Sequence, residues 1–116
     1  MSLAALTDGL DISVDLLVAQ LRTTKRELGE TIGVAPEALS RRSRRLSPSI
    51  QMQLRHLVEI LNMVSGQFGN LMMAYAWYRS EPLIGFGGRT PEEIAKDGNF
   101  DGLRAHILRR LNGGFA

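Results

Sequence analysis

Cysteine is absent from this sequence of 116 residues, which excludes disulfide bonds and thiolate metal sites. Long apolar runs are also absent, because no run approaches the roughly 20 residues that span a bilayer. The opening stretch, MSLAALTDGLD, lacks the basic start of a secretory signal and soon turns acidic. We therefore expect a soluble, cytoplasmic protein.

Strand-like alternation of apolar and polar residues is missing as well, and almost every segment has helical spacing. The apolar fraction of 44% is enough for a folded core and argues against disorder. The sequence thus predicts an all-α helical bundle. We divide it into an N-terminal helix-turn-helix, residues 1–46, and a C-terminal helical region, residues 47–116.

Positive charge is concentrated in one part of the chain, although the net charge is only +2. Residues 1–21 carry three acids and no base, a balance of −3. Residues 22–45 carry seven bases and three acids, +4, and residues 46–116 carry seven bases and six acids, +1. The basic stretch is the one expected to meet phosphates if the protein binds nucleic acid.

That basic stretch, TTKRELGETIGVAPEALSRRSRR, has the spacing of a helix-turn-helix. Counting from Lys25, Gly29 is fifth, Gly33 is ninth and Leu39 is fifteenth. Gly29 would let two helices cross closely, and Gly33 suits a turn that needs a positive φ. We predict a helix capped by Thr24 that ends at Gly33, and a second helix from about Pro36 to Arg45.

The second of these helices carries the candidate DNA contacts. At 100° per residue, Arg41 and Arg44 lie opposite the core, whereas Arg42 and Ser43 lie toward it. Arginine is the commonest reader of guanine. We assign base-edge contacts to Ser40, Arg41 and Arg44, and phosphate contacts to Thr24, Lys25, Arg42 and Arg45. The alternative is a solvated basic face on a small helical protein.

Later helices follow from apolar spacing and caps. Ser13 precedes a helix over Val14–Leu21, and Ser47-Pro48-Ser49 precedes one from Ile50 to about Val64, which we expect to end at Ser65-Gly66. A nearly all-apolar helix follows from about Gln67 to Tyr78. Thr90-Pro91-Glu92-Glu93 reads as a capping box opening a helix to about Lys96, and the last helix runs from about Asp101 to Leu111.

No pattern in the chain points to catalysis, a metal or a cofactor. His56 and His106 lie on different helices without a ligand motif. Glu92 and Glu93 follow a threonine cap and a proline, so capping and the helix dipole explain them better than acid–base chemistry. The glycines of residues 85–88 follow no strand and lack the Walker lysine, so a phosphate loop is not supported. We expect no enzyme activity.

The densest signal in the C-terminal half is an ordered set of short motifs: WYRSEP at 77–82, FGGRTPEE at 86–93 and NGGFA at 112–116. In this order the chain resembles Xre/MbcA/ParS-type antitoxins of the RES-Xre toxin–antitoxin family. There an aromatic-ended helix leads to a proline, a Gly-x-Thr-Pro-x-Glu-like turn, an amphipathic helix and a Gly-x-Phe-Ala-like tail. Two positions depart: Glu92 stands where leucine is common, and Asn99-Phe100-Asp101 replaces a shorter glycine-centred turn.

The resemblance implies an antitoxin that binds a RES-domain toxin, blocks its NAD pocket and represses its own operon. It needs no cofactor of its own and acts as a homodimer or as a hetero-oligomer with the toxin. The implied toxin-binding residues are Trp77, Tyr78, Phe86, Arg89, Arg109, Arg110, Gly113, Gly114, Phe115 and Ala116. Alternatively, Trp77, Tyr78 and Phe86 complete the protein's own core.

A second hypothesis is a stand-alone helix-turn-helix transcriptional regulator whose C-terminal half dimerises it. Both hypotheses allow self-association, since a helix-turn-helix commonly reads two half-sites as a dimer. A RES-type toxin gene beside this one would separate them.

Overall fold

A computed structural model describes residues 6–8 and 10–113 of the chain. Over this range the chain forms seven α-helices, a 3₁₀ helix and a hairpin of two very short antiparallel strands. The elements are β1 (Thr7–Asp8), β2 (Asp11–Ile12), α1 (Val14–Leu21), α2 (Lys25–Ile32), the 3₁₀ helix (Pro36–Leu39), α3 (Arg42–Arg45), α4 (Pro48–Phe68), α5 (Leu71–Ser80), α6 (Pro91–Lys96) and α7 (Phe100–Gly113).

The long helix α4 is the centre of the bundle. Its apolar stripe is buried, and the strand β2 and the helices α2, α3, α5 and α7 pack against it. A stripe at helical spacing buries one face of a helix and leaves the opposite face in water. The prediction of an all-α helical bundle is confirmed. The buried residues of the stripe are Ile50, Leu54, Leu57, Val58, Ile60, Leu61 and Val64.

Most helix starts were predicted from their caps. A side-chain oxygen at each predicted N-cap accepts a hydrogen bond from the first helical turn, which satisfies a backbone donor that has no intrahelical partner. Thr90 also forms the predicted capping box, because the Glu93 carboxylate accepts from the Thr90 backbone at 2.9 Å. The confirmed caps are Ser13, Thr24, Ser47 and Thr90.

The boundary between α4 and α5 differs from the prediction. Helix α4 continues through Gly66 to Phe68 and ends at Gly69, whose φ is +85°. A glycine inside a helix costs only about 1 kcal/mol, which the packing of Phe68 against the core offsets. Helix α5 then begins after Asn70, whose side chain accepts from the Met73 backbone at 2.8 Å.

The hairpin β1–β2 was not predicted, because strands of two residues leave no periodic pattern. Gln51 of α4 holds it to the bundle. The Gln51 side chain accepts from the Ile12 backbone at 2.7 Å and donates to the Ile12 carbonyl at 3.2 Å. It also donates to the Arg45 carbonyl at 2.9 Å. One buried amide therefore ties both the hairpin and the end of α3 to the core.

None of the described helices combines the length and apolar character that crossing a membrane requires.

Candidate nucleic-acid and protein interfaces

The turn after α2 matches the prediction. The Thr24 hydroxyl accepts from the Glu27 backbone at 3.0 Å and caps the helix. Gly33 ends it with a φ of +82°, a left-handed conformation that glycine adopts at little steric cost. A Cβ added to Gly29 would lie 3.5 Å from two carbonyl oxygens of the turn. The space beside Gly29 would therefore just accommodate a methyl group.

The predicted helix over residues 36–45 is wrong. The chain forms the 3₁₀ helix Pro36–Leu39 and then a single α-helical turn, Arg42–Arg45. Ser40 and Arg41 separate the two pieces, and Arg41 is extended, with φ −100° and ψ 121°. The segment that was expected to enter the major groove as one recognition helix is therefore a bent connection.

The charge of Arg42 gives a physical reason for the break. A continuous helix would point Arg42 toward the core, where an unpaired charge is strongly disfavoured. In the bent connection Arg42 is exposed instead of inward, so the predicted inward position of Arg42 is corrected.

Residues 41–45, here called the arginine segment, form a basic surface. Arg41, Arg42 and Arg44 are exposed and Arg45 is half-buried, while the neighbouring Ser40 is also exposed. No ion pair involves any of these four arginines within the described part of the chain. Their guanidinium groups are consequently open to anionic ligands such as phosphate.

The acidic start of the protein lies beside this surface. Lys25, a predicted phosphate contact, forms an ion pair with Asp15 at 3.2 Å. A groove of about 230 Å³ has Asp11 and Asp15 among its lining residues, together with Arg42 and Arg45. Carboxylates reduce the attraction that a nearby cation exerts on a phosphate. Arg41 is not among the groove's lining residues.

A network of charged side chains joins α2, α5 and α6. Arg79 of α5 donates from Nε to Glu92 at 2.7 Å and also pairs with Glu27 of α2. Lys96 donates to Glu92 at 3.0 Å and to the Glu30 carbonyl at 3.0 Å. Burial lowers the pKa of Arg79, but the hydrogen bond and charge of Glu92 outweigh burial and raise this pKa above its usual value. We call these four side chains, Glu27, Arg79, Glu92 and Lys96, the Arg79 network.

A buried neutral hydrogen bond supports the same contact between helices. Thr31 of α2 and Tyr75 of α5 have their hydroxyl oxygens 2.7 Å apart, and both residues are buried. Burial raises the pKa of Tyr75, so the phenol stays neutral at physiological pH. The helix before the arginine segment is thus fixed to the C-terminal half by both charged and neutral contacts.

The aromatic end of α5 divides into a core residue and a half-exposed one. Tyr78 is only 3% exposed, and burial raises its pKa. We therefore assign Tyr78 to the core, which corrects its place among the predicted partner contacts. Trp77 is half-buried and packs against Phe68, with ring centroids 5.9 Å apart. Trp77 is thus partly accessible to a partner and partly a core residue.

The loop over residues 82–89 contains two more predicted contact residues. Phe86 is half-buried, and its ring meets His106 of α7 edge-on, with centroids 5.4 Å apart. Arg89 is exposed and forms an ion pair with Asp97. At the tip of the loop Ile84 is 94% exposed. Ile84 is therefore more accessible to solvent than Phe86.

The end of α7 supplies the remaining predicted residues that the structure describes. Arg109 and Arg110 are exposed, as is Gly113 at the last helical position. Burial, and then the charges of Arg110 and Arg109, lower the pKa of His106. Gly114, Phe115 and Ala116 lie outside the described residues, and so does the predicted insertion of the tail.

Sequence reasoning missed two groups at these surfaces. Glu92 was explained by the helix dipole, yet it is only 9% exposed and pairs with Arg79 and Lys96. The spacing of Glu92 and Lys96 by four residues was a signal for part of this network. Ile84 had a weaker signal, which was a large aliphatic residue inside a loop of glycine and proline.

Within the described ranges, no group of three or more His, Asp or Glu side chains is placed to hold a metal ion. Comparisons with protein-family models, with curated proteins and with solved structures find no significant match to this chain.

Proposed function

We propose that this protein is an antitoxin that binds and blocks a RES-domain, NAD-consuming toxin and represses its own operon by binding DNA. It has no catalytic activity of its own and acts in the cytoplasm. One observation carries the proposal. The chain presents two surfaces of different chemistry on different elements, a basic one at the arginine segment and a mixed apolar and basic one at the 82–89 loop and α7.

The arginine segment supports the DNA-binding half. Four arginines within five residues, with no ion pair in the described part of the chain, suit neighbouring phosphates. The turn at Gly33 and the cap at Thr24 have the geometry that a helix-turn-helix requires. The connection bends at Ser40 and Arg41, which are both exposed, and we propose that these two residues lie nearest the DNA and that α3 follows the phosphate backbone.

The loop and α7 support the toxin-binding half. A groove of about 330 Å³ lies between them, with Ile84, His106 and Arg110 among its lining residues. Arginine is enriched at protein–protein interfaces, and the buried core of an interface is more apolar than its rim. The class of the toxin comes from the resemblance of residues 77–116 to RES-Xre antitoxins.

Two matched double variants test the proposal, since both remove two positive charges from exposed arginines. Arg41→Ala with Arg44→Ala should abolish binding to the DNA upstream of this gene while still protecting cells from the neighbouring RES-type toxin. Arg109→Ala with Arg110→Ala should weaken protection and leave DNA binding by the free protein intact. Band shift at physiological salt and growth after toxin induction measure the two properties.

Two results would contradict the proposal. If the wild-type protein leaves the toxin fully active, the antitoxin assignment is wrong. Unchanged DNA affinity in the Arg41 and Arg44 variant would remove the arginine segment from the interface. Equal loss of both properties in both variants would mean that the substitutions damage the fold, which thermal unfolding checks directly.

A stand-alone transcriptional regulator is the second candidate, and one observation favours it. Three large apolar side chains are exposed on the N-terminal half of the chain, at Leu10, Leu16 and Met52. Met52 lies near the start of α4, which contacts both α3 and the strand β2 beside Leu10. A homodimer formed there would bring two arginine segments together for two half-sites. A dimer in sedimentation experiments, without any toxin-neutralising effect, would favour this candidate.

A further inference from the structure

Ile84 is the most exposed large apolar side chain in the described part of the chain. Its exposure of 94% exceeds the 88% of Leu10 and is far above the 50% of Met52 and Met73. Isolated exposed aliphatic residues are common on proteins. The position of Ile84 needs more explanation than that, because the residue before it, Leu83, is buried and hydrogen-bonded.

The loop that carries Ile84 is closed by its own backbone. The Leu83 amide donates to the Arg89 carbonyl at 2.9 Å, and the Leu83 carbonyl accepts from the Phe86 and Gly88 amides at 3.3 Å. Leu83 itself is buried in the core. Ile84 therefore follows a fixed residue directly, and its outward direction is built into the loop.

Three glycines make this closure possible. Gly85, Gly87 and Gly88 have φ values of +96°, +69° and +79°, which side chains with a Cβ rarely adopt. A partner that binds such a loop does not have to order it first, which removes part of the entropic cost of association. The loop thus holds one aliphatic side chain in a fixed orientation before a partner binds.

The charges beside Ile84 indicate the chemistry of its partner. Arg110 lines the same groove as Ile84, and Arg109 is exposed next to it on α7. Neither arginine forms an ion pair among the described residues, and Glu81 is the one acid that lines the groove. Glu81 offsets one of the two arginines, so the surface around Ile84 keeps one net positive charge, which favours an acidic group on the partner.

We infer that Ile84 is the apolar anchor through which this protein holds its toxin. It enters a pocket of the toxin that accepts one branched aliphatic side chain, and a carboxylate at the rim of that pocket faces Arg110. This inference rests on the proposed function, because the occupant of the surface is the same toxin. It does not depend on residues 114–116.

Binding of purified toxin to three single variants tests the inference. Ile84→Ser should weaken affinity on the order of 10- to 100-fold, as expected for an anchor at the centre of an interface. Ile84→Val keeps a branched aliphatic chain but loses one methylene, so its affinity should fall by only about 2- to 10-fold, less than that of Ile84→Ser. Leu10→Ser is the matched control, since it removes an equally exposed apolar side chain from the hairpin, and its affinity should not change. Titration calorimetry gives the three dissociation constants.

The outcomes separate this inference from the proposed function. If the wild-type protein does not bind the toxin, the proposed function and the inference fail together. If the wild type binds but Ile84→Ser binds equally well, only the anchor is wrong. An equal loss with Leu10→Ser would also overturn it, as would conversion of a free dimer into a monomer by Ile84→Ser, since the anchor would then join two copies of this chain. Unchanged thermal unfolding of the three variants confirms that the fold is intact.

Discussion

The arginine segment and the 82–89 loop are both exposed connections between helices, but they hold their side chains in different ways. The arginine segment has no buried residue in α3, and the chain bends where this segment begins, at Ser40 and Arg41. The loop is closed by backbone hydrogen bonds around the buried Leu83. One connection presents charge on long side chains, and the other presents a short apolar side chain in a fixed direction.

The difference follows from the ligands that the two surfaces are proposed to bind. Coulombic attraction to a phosphate changes slowly with distance, so guanidinium groups on flexible side chains are effective even when the backbone that carries them is not rigid. Contact of an aliphatic side chain with a pocket is short-ranged, and a gap of under 1 Å removes much of it. A hydrophobic anchor therefore needs a rigid loop more than a basic surface does.

The largest expected effect is on DNA binding, where charge and geometry can be separated. Changing all four arginines of the segment to glutamine should reduce affinity by roughly 10³-fold at low salt. It should also flatten the plot of log K against log salt by about 3 to 4 units. Changing the same four to lysine should preserve most of the slope and lose preference for the operator, because lysine lacks the bidentate fork. Fluorescence anisotropy across a salt series measures both.

A lysine variant that kept full operator preference would show that the arginines contact only phosphates. A glutamine variant with an unchanged salt slope would place the DNA interface elsewhere on the molecule.

Much of the fold was predictable, because caps and apolar stripes are local signals. Ser13, Thr24, Ser47 and Thr90 each occupy the N-cap position that the sequence indicates. The end of α4 was predicted wrongly because it depends on packing between distant residues. Gly66 did not end α4, since packing of the following turn outweighed the local cost of a glycine.

The candidate surfaces were less predictable, since they depend on contacts between distant residues. The pairing of Glu27 with Arg79 joins positions 52 residues apart, and no local pattern indicates it. The bend at Arg41 avoids burying the charge of Arg42, a cost that helical periodicity ignores. Exposure of Ile84 required the closed loop to be known.

The Arg79 network should determine whether the two surfaces keep a fixed relation. Arg79→Met removes the cation between Glu27 and the largely buried Glu92, and should lower the free energy of unfolding by about 2 kcal/mol. Arg104→Met is the matched control. Its ion pair with Glu59 is solvent-exposed, so the expected loss is much smaller than that of Arg79→Met. Urea denaturation compares the two, and equal losses would mean that the network adds no more than a surface pair.

Two glycines should respond to alanine in opposite directions. Gly33 has a φ of +82°, so Gly33→Ala should cost about 1 kcal/mol, even though the nearest side chain is the flexible Lys96. Gly66 lies inside α4 with open space around it, so Gly66→Ala should add about 0.5 to 1 kcal/mol. Denaturation midpoints measure both. Stabilisation by Gly33→Ala would contradict the left-handed turn before the arginine segment.

The smallest effect concerns pH at the loop's contact with α7. Burial, followed by Arg110 and Arg109, lowers the pKa of His106 below its usual 6.5. The unfolded chain therefore takes up this proton more readily than the folded one. The stability that His106 contributes is full above about pH 6.5 and is lost as the pH falls toward the folded-state pKa.

Melting temperatures at pH 8 and at pH 5.5 should differ less in His106→Gln than in the wild type. Arg110→Gln should lie between them, because it removes one of the two charges that disfavour the proton. If the melting temperature falls by the same amount in all three proteins between pH 8 and pH 5.5, protonation of His106 does not disturb the packing of Phe86 and the loop.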